Sequence, residues 1–132
     1  DMQKVMQSDA AVFRTGETMQ EGADKLDKLW ERKADIGVAD KSLVWNSELM
    51  ETLEFDNLMY QAQATMKAGL VRTESRGAHS REDFPERNDD EWMKHSLIWV
   101  NEKGKADIDY RPVTMSSMTN EVQAFPPQKR VF

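Results

Sequence analysis

The segment from Arg72 to Asp90 most limits how this chain can fold, because it is too polar to supply a hydrophobic core. Arginines and one histidine alternate there with acidic side chains, and Gly77 and Pro85 interrupt regular structure. Such a segment is either solvated or held by a specific network of ion pairs and hydrogen bonds. It therefore separates a longer part of the chain before it from a shorter part after it.

Three helices are predicted in the part before this polar segment, because apolar residues recur there at spacings of three and four. The first helix covers about 2–13, and the second is opened by Thr15-Gly-Glu-Thr and ends near Lys33. Residues 35–42 connect it to a third helix, which Asn46 caps and which ends at about Leu70. The apolar face of the third helix is broad, so we expect a central helix that is contacted on more than one side.

A β-hairpin is predicted after the polar segment. Asn88 can cap a short turn that leads into Trp92, and from residue 96 the apolar period changes from helical to two. The strands cover about 96–100 and 106–110, with a turn at 102–105. An isolated two-stranded hairpin is marginal, so this one must pack on the helices or on a partner. Residues 114–132 show no clear period.

Composition excludes several classes of protein. The chain has 132 residues, which fits one domain, and it contains no cysteine, which excludes disulfides, zinc–thiolate sites and iron–sulfur ligation. With a net charge of −6, the chain lacks the excess of positive charge that is typical of nucleic-acid-binding proteins. No apolar run approaches the length of a membrane span, so we expect no direct membrane insertion.

Few residues are candidates for catalysis or metal binding. The two histidines, His79 and His95, lie on either side of a loop that contains Pro85, with Glu82 and Asp83 near the first. A metal site is one hypothesis, but it needs several ligands on one face. A loop histidine that forms hydrogen bonds explains the pattern without that requirement. The sequence shows no nucleophile elbow and no glycine-rich phosphate loop, so we assign no catalytic, cofactor-binding or metal-binding residue.

The arginines of the polar segment are better explained as interface residues. Arginine holds carboxylates in a fixed geometry and is favoured at contacts between domains. The acidic pairs Glu82/Asp83 and Asp89/Asp90 are expected to form salt bridges with these arginines or to be solvated. The candidate interface residues are Arg72, Arg76, His79, Arg81 and Arg87.

Several segments resemble, in order, the C-terminal helical domain of succinate dehydrogenase and fumarate reductase flavoprotein subunits. The most specific is Glu74-Ser-Arg-Gly-Ala-His-Ser-Arg-Glu-Asp83. Others are Met2-Gln-Lys-Val-Met, Ala11-Val-Phe-Arg14, Leu43-Val-Trp-Asn46, Glu51-Thr-Leu-Glu-Phe-Asp-Asn-Leu58, Trp92-Met-Lys-His-Ser and Ala124-Phe-Pro-Pro-Gln-Lys-Arg-Val-Phe132. Together they cover essentially the whole chain, and the hairpin and the Pro-Pro tail favour succinate dehydrogenase over L-aspartate oxidase, which has a similar Glu-Ser-Arg-Gly core.

The resemblance implies a mainly α fold: a three-helix, spectrin-repeat-like bundle followed by a β-hairpin and an extended tail. As one domain, 1–132 would comprise a bundle (1–71), a polar loop (72–91), a hairpin (92–112) and a tail (113–132). It would be a fragment of a larger subunit, because the family's flavin-binding segments precede this domain. Its partners would be the flavin-binding domain of the same subunit and the iron–sulfur subunit.

In function, the resemblance implies a subunit that oxidises succinate to fumarate and passes electrons through FAD and the iron–sulfur subunit to quinone. FAD belongs to the intact subunit, so this chain alone should hold no cofactor and show no activity. The implied location is peripheral, on the cytoplasmic face of a bacterial inner membrane or the matrix side of the mitochondrial inner membrane. The alternatives are a free-standing helical interaction module, the equivalent domain of fumarate reductase or L-aspartate oxidase, and a small metalloenzyme.

Overall fold

Four α-helices and two small sheets make up residues 1–128, which the computed structural model describes. The helices are α1 (Met2–Asp9), α2 (Gly16–Glu31), α3 (Ser47–Val71) and α4 (Asp89–Trp92), and a 3₁₀ turn, Arg32–Asp35, continues α2. The strands are β1 (Phe13–Arg14), β2 (Ser80–Arg81), β3 (Lys94–Val100) and β4 (Ala106–Pro112). No helix within residues 1–128 is long and apolar enough to cross a bilayer.

Side-chain caps set the starts of the helices where the sequence predicts them. The Thr15 hydroxyl accepts a hydrogen bond from the Thr18 N–H at 3.1 Å and opens α2. Asn46 Oδ1 accepts from the Leu49 N–H at 2.9 Å and opens α3, and Asn88 caps α4 in the same way. Each cap satisfies a backbone donor that has no partner within its helix.

The hydrophobic core lies where α2 crosses α1 and the carboxyl-terminal half of α3. Its fully buried side chains include Met19 and Leu26 from α2 and Met59 and Met66 from α3. Methionine and small residues dominate this core, which allows the helices to approach closely. The Trp30 and Tyr60 rings close one end with an edge-to-face contact, their centroids 4.8 Å apart.

The predicted mainly α, three-helix, spectrin-repeat-like bundle is not confirmed, and the class is mixed α and β. Helix α1 ends at Asp9 instead of Phe13, because the backbone of Ala10 leaves the helical conformation, with φ of −128°, and Phe13 then pairs with Ser80 in β1. An eight-residue helix cannot cover the whole of a 25-residue α3. Leu53 and Leu58, in the amino-terminal half of α3, therefore stay exposed.

A short parallel pairing that the sequence did not predict ties the polar segment to the start of the chain. Phe13 pairs with Ser80 and Arg14 pairs with Arg81. The Glu82 N–H extends the contact by bonding to the Arg14 carbonyl at 2.8 Å. The polar segment is thus folded against the junction between α1 and α2.

The predicted β-hairpin is present and packs on the helices. Strands β3 and β4 are antiparallel, with Ile98 opposite Ile108 and Lys94 opposite Pro112 at the open end. At the turn, the Trp30 Nε1–H donates to the Glu102 carbonyl at 3.2 Å, which fixes the hairpin to the end of α2. Beyond β4 the described tail, 113–128, has no helix or strand. The predicted tail ending at Arg130 and Phe132 lies outside the described residues.

Replacing Gly104 by alanine is expected to destabilise the chain by about 1–3 kcal/mol, the usual cost of overpacking a tight contact. Gly104 has φ of +74°, and a Cβ there would lie 2.6 Å from the Trp30 ring. Urea unfolding of Gly104→Ala measures the loss. Gly37→Ala is the matched control, because nothing lies within 4 Å of its Cβ position and its φ is not positive. Equal stabilities for the two variants would contradict the assigned packing.

Candidate functional site

A fully buried glutamate organises the polar segment. Glu74 has 0% of its surface exposed and accepts hydrogen bonds from Arg76 Nε at 2.8 Å and from the Asn88 N–H at 3.0 Å. Arg72 makes a further short contact with the same carboxylate. Burial raises the pKa of Glu74, but the bonds from Arg76, Asn88 and Arg72 outweigh it and hold the pKa below its ordinary value.

Arg72 joins this carboxylate to the hairpin. Its guanidinium donates to the Trp92 carbonyl at 3.1 Å and to the Lys94 carbonyl at 2.5 Å. It also lies over the Trp92 ring, 5.0 Å from the centroid. The charged head is therefore held by a carboxylate, two carbonyls and an aromatic face.

A second carboxylate, Asp89, extends the network to the surface. It accepts from Arg76 Nη2 at 2.6 Å and from Arg87 Nη2 at 2.9 Å. Hydrogen bonding to Arg76 is the main cause that lowers the pKa of Asp89. Arg87 also donates to the Gln128 carbonyl at 2.8 Å, which holds the tail against the polar segment.

Arg81 and Asp83 connect the ends of two helices. Arg81 is only 3% exposed, and its guanidinium donates to both Asp83 oxygens at 2.8 and 2.7 Å and to the Leu70 carbonyl at 3.0 Å. It thereby satisfies an unpaired carbonyl at the carboxyl end of α3, where positive charge is favourable. Asp83 accepts from the Gly16 N–H at 2.8 Å, at the amino end of α2, where negative charge is favourable.

His79 lies between arginines as a neutral ring. Arg14 Nη1 donates to His79 Nδ1 at 3.0 Å, so the ring proton is on Nε2, which donates to the Arg72 carbonyl at 3.3 Å. Burial lowers the pKa of His79, and repulsion from Arg14, Arg81 and Arg72 lowers it further. The tight turn that presents His79 pairs it with Arg76 across Gly77, whose φ is +60°.

All five predicted interface residues fall in this one network, which we call the arginine network: Arg72, Arg76, His79, Arg81 and Arg87, with Glu74, Asp83 and Asp89. The salt bridges predicted for the acidic pairs are confirmed for one member of each pair, Asp83 and Asp89. Their neighbours Glu82 and Asp90 form no ion pair within residues 1–128. The interface role itself stays a prediction.

The metal hypothesis finds no assembled site in the part of the chain that the structure describes. No group of three or more His, Cys, Asp or Glu side chains there is arranged to hold an ion. His95 is exposed on β3, whereas His79 is engaged by Arg14 and by a backbone carbonyl.

Two members of the site were missed from the sequence. The motif contains Glu74, but the sequence does not indicate that it is the buried centre of the network, since nothing in a polar stretch shows which acid is covered. Arg14 belongs to a segment that resembles the family, but the sequence predicts no site role for it, because it is a single arginine that follows a short apolar run. Only the pairing of β1 with β2 brings it to His79.

A second notable feature is the loop from Ile36 to Asn46, which presents Trp45. This side chain is 98% exposed, and its φ of +55° is unusual for a residue other than glycine. The Glu48 carboxylate accepts from the N–H groups of Ala39 and Asp40 at 3.0 and 2.9 Å. Asn46 Nδ2 donates to the Asp40 carbonyl at 2.9 Å. Trp45, with exposed Leu43 and Val44, is thus held out by a hydrogen-bonded loop, which we call the tryptophan loop.

The free energy of unfolding is expected to fall in two stages as the pH is lowered. The unfolded state binds protons on His79 before the folded state does, so stability falls as the pH drops from about 7 toward 5. The lowered pKa values of Glu74, Asp83 and Asp89 cause a second loss as the pH falls below about 4. Urea midpoints across pH measure both stages. His79→Gln should remove only the upper stage, and the exposed His95→Gln should keep both.

Comparison with known proteins agrees with this geometry. Residues 1–132 match the family described as the fumarate reductase flavoprotein C-terminal domain. The chain belongs to this family of C-terminal flavoprotein domains. It is similar to the succinate dehydrogenase flavoprotein subunit of Rickettsia bellii, at 53% identity over 99% of the chain and 22% of the relative. The mitochondrial subunit of Oryza sativa is 52% identical over 100% of the chain and 21% of the relative.

A solved structure supports the same assignment. The E. coli quinol fumarate reductase FrdA matches with a TM-score of 0.81 and 30% identity, over 98% of this chain and 22% of that one. The chain therefore spans about a fifth of the length of the proteins it matches. These relatives are flavoprotein subunits from both bacteria and mitochondria.

Proposed function

We propose that this chain is the C-terminal bracing domain of a flavoprotein subunit that oxidises succinate to fumarate. In that subunit FAD would accept the hydride, and the electrons would leave through an iron–sulfur subunit toward quinone. The domain would contribute structure, since the arginine network pairs its charges internally and offers neither a nucleophile nor a free general base. The three helices α1 to α3 would serve as the bundle that carries the docking surfaces.

Identity favours succinate dehydrogenase over fumarate reductase. The succinate dehydrogenase subunits of Rickettsia bellii and Oryza sativa are 53% and 52% identical to this chain. The fumarate reductase subunit of Mycobacterium tuberculosis is 36% identical over the whole chain. The proposed location is peripheral, on the cytoplasmic or matrix side of an inner membrane, and it rests on the bacterial and mitochondrial relatives.

The tryptophan loop is the single observation that carries the bracing role. A tryptophan that is 98% exposed and rigidly held has the properties of an interface anchor, because its loop has little entropy left to lose on docking. Met50, Leu53 and Leu58, in the amino-terminal half of α3, are also exposed and add apolar area to the docking surface that we propose. We assign this surface to the flavin-binding domain of the same subunit.

The predicted interface residues would act mainly by holding the polar segment in shape. Arg81 is buried and fully paired, so its contribution to docking would be indirect. Arg87 and Asp89 lie at the outer edge of the arginine network and are partly exposed, which would allow contact with the iron–sulfur subunit.

Replacing Trp45 by alanine in the complete subunit tests the bracing role. Interface anchors typically contribute at least about 2 kcal/mol, so the complete subunit should melt at a lower temperature and lose succinate-dependent dye reduction in parallel. The isolated 132-residue chain should keep its urea midpoint, because the removed side chain is almost fully exposed. Trp45→Phe should retain most of the stability. An unchanged melting temperature of the complete Trp45→Ala subunit would contradict the proposal.

A further inference from the structure

An open cavity of about 540 Å³ lies between the carboxyl end of α3 and the start of the hairpin. Its lining includes Arg14, Arg72, Arg76, Lys94 and both histidines, and it contains no aspartate or glutamate. The chain as a whole is acidic, with 24 Asp and Glu against 18 Lys and Arg. A cavity lined with only one sign of charge is therefore unexpected in this chain, and that sign is the opposite of the net charge.

Two of these cations have no acidic partner among residues 1–128. Arg14 is half-buried and, within residues 1–128, donates only to neutral acceptors: the Ala10 carbonyl at 3.0 Å, the Ala11 carbonyl at 2.7 Å and the His79 ring at 3.0 Å. Lys94 Nζ lies 4.7 Å from the Trp92 ring centroid and 4.2 Å from that of Tyr110, and it forms no ion pair. In contrast, each arginine of the polar segment forms an ion pair with a carboxylate.

An unpaired charge that is partly removed from water is unfavourable unless an opposite charge accompanies it. Each half-buried guanidinium of the arginine network is paired with a carboxylate of the same network, whereas Arg14 has no such partner among residues 1–128. Arg14 still has N–H groups beyond those used by Ala10, Ala11 and His79, since a guanidinium carries five. Two cations without an acidic partner among residues 1–128, the planar Arg14 and the compact Lys94, thus line the cavity together with Trp92.

We propose that this cavity binds a carboxylate side chain, carried by the polypeptide that docks on this face of the domain, and that Arg14 and Lys94 are its two cationic contacts. The inference rests on the proposed function for the source of the carboxylate, because it places the flavin-binding domain and the iron–sulfur subunit beside this domain. The affinity of the cavity for carboxylates does not depend on that source.

Nuclear magnetic resonance with acetate as the probe tests the affinity on the 132-residue chain. Acetate should shift the Arg14 Nε–H and His79 ring signals along a saturating curve, whereas chloride at equal ionic strength should not. A bound carboxylate also favours protonated His79, so acetate should move its titration to higher pH. Arg14→Gln and Lys94→Gln should each lower the apparent affinity several-fold. Lys4→Gln is the matched control, since Lys4 is an exposed cation on α1 that does not line the cavity.

The proposed site would be overturned if the chemical shifts changed linearly with acetate concentration, or if chloride caused the same changes. It would also be overturned if Arg14→Gln bound acetate with the wild-type affinity. The complete subunit with its iron–sulfur partner then tests the source. Arg14→Gln and Lys94→Gln should reduce the yield of assembled complex, and Lys4→Gln should not. If both cavity variants gave as much assembled complex as the wild type, the carboxylate would not come from a docked polypeptide, and a free small anion would remain as the ligand. If Trp45→Ala has no effect while acetate still binds, the proposed function fails and the carboxylate site stands.

Discussion

Replacing Glu74 by glutamine is expected to lower the free energy of unfolding by about 3–5 kcal/mol, the usual cost of removing one partner from a buried ion pair. The side chain is 0% exposed and accepts from Arg72, Arg76 and the Asn88 backbone. Glutamine has nearly the same shape but only one acceptor oxygen, so its amide group would face guanidinium donors. Arg72 and Arg76 would be left partly desolvated without their shared negative charge.

Urea denaturation at pH 7 measures this loss. Glu82→Gln is the matched control, because Glu82 lies in the same polar segment but is exposed and forms no ion pair within residues 1–128. An exposed substitution of this kind should stay within about 0.5 kcal/mol of the wild type. Below about pH 4 the gap between Glu74→Gln and the wild type should narrow, because the carboxyl group of the unfolded wild type takes up a proton there, whereas the lowered pKa of Glu74 resists protonation in the folded state. A gap that stays constant down to low pH would contradict the charge-based explanation.

Arg81→Lys is expected to lower the free energy of unfolding by about 3 kcal/mol although it preserves the charge, because lysine cannot reproduce a bidentate contact with a carboxylate. The Arg81 guanidinium reaches both Asp83 oxygens and the Leu70 and Arg72 carbonyls at once. A single ammonium group would leave acceptors at the end of α3 without donors. Arg81 is only 3% exposed, so water has little access to the bonds that its guanidinium makes with these carbonyls.

The matched control is Arg87→Lys, the same exchange at the exposed edge of the arginine network. Arg87 pairs with Asp89 in a partly solvated contact, so this variant should lose at most about 1 kcal/mol. Circular dichroism during urea titration measures both variants. Similar small losses for the two would show that Arg81 does not hold the helix ends as the contacts indicate.

Local signals in the sequence predicted most of the helices and strands. Thr15 and Asn46 cap helices as expected, Asn88 caps the short helix α4 where a turn was expected, and the alternation around Ile98 and Ile108 marks the hairpin. These features depend on neighbours within a few residues, which a sequence shows directly. The end of α3 at Val71 was likewise expected to within one residue.

The errors concern features that depend on distant parts of the chain. The apolar residues Val12 and Phe13 extend the helical pattern of α1, but pairing with Ser80 draws this stretch into a strand. The three-helix bundle is not confirmed, since α1 is short and leaves Leu53 and Leu58 of α3 exposed, although α3 is contacted by α1, α2 and the hairpin as expected. Periodicity shows that a face is apolar and does not show what covers it.

The functional site was predicted in composition but not in arrangement. Counting arginines and acids indicated an ion-pair network, and the pairs of Asp83 and Asp89 are confirmed. The central role of Glu74 and the presence of Arg14 depend on burial and on strand pairing, which single-residue chemistry does not indicate. The segment that the sequence predicts to form an interface is also a structural junction.

The arginine network also has a consequence for the order of folding. The contacts of Glu74 with Arg72 and Arg76 span two residues of chain, so their loop-closure entropy is small. The bond from the Gly16 N–H to Asp83 spans 67 residues and can form only after α2 and α3 have come together. Contacts of such separation slow folding more than local ones. The polar segment would then form its inner pairs early and close onto the helices last, as the step that completes the domain.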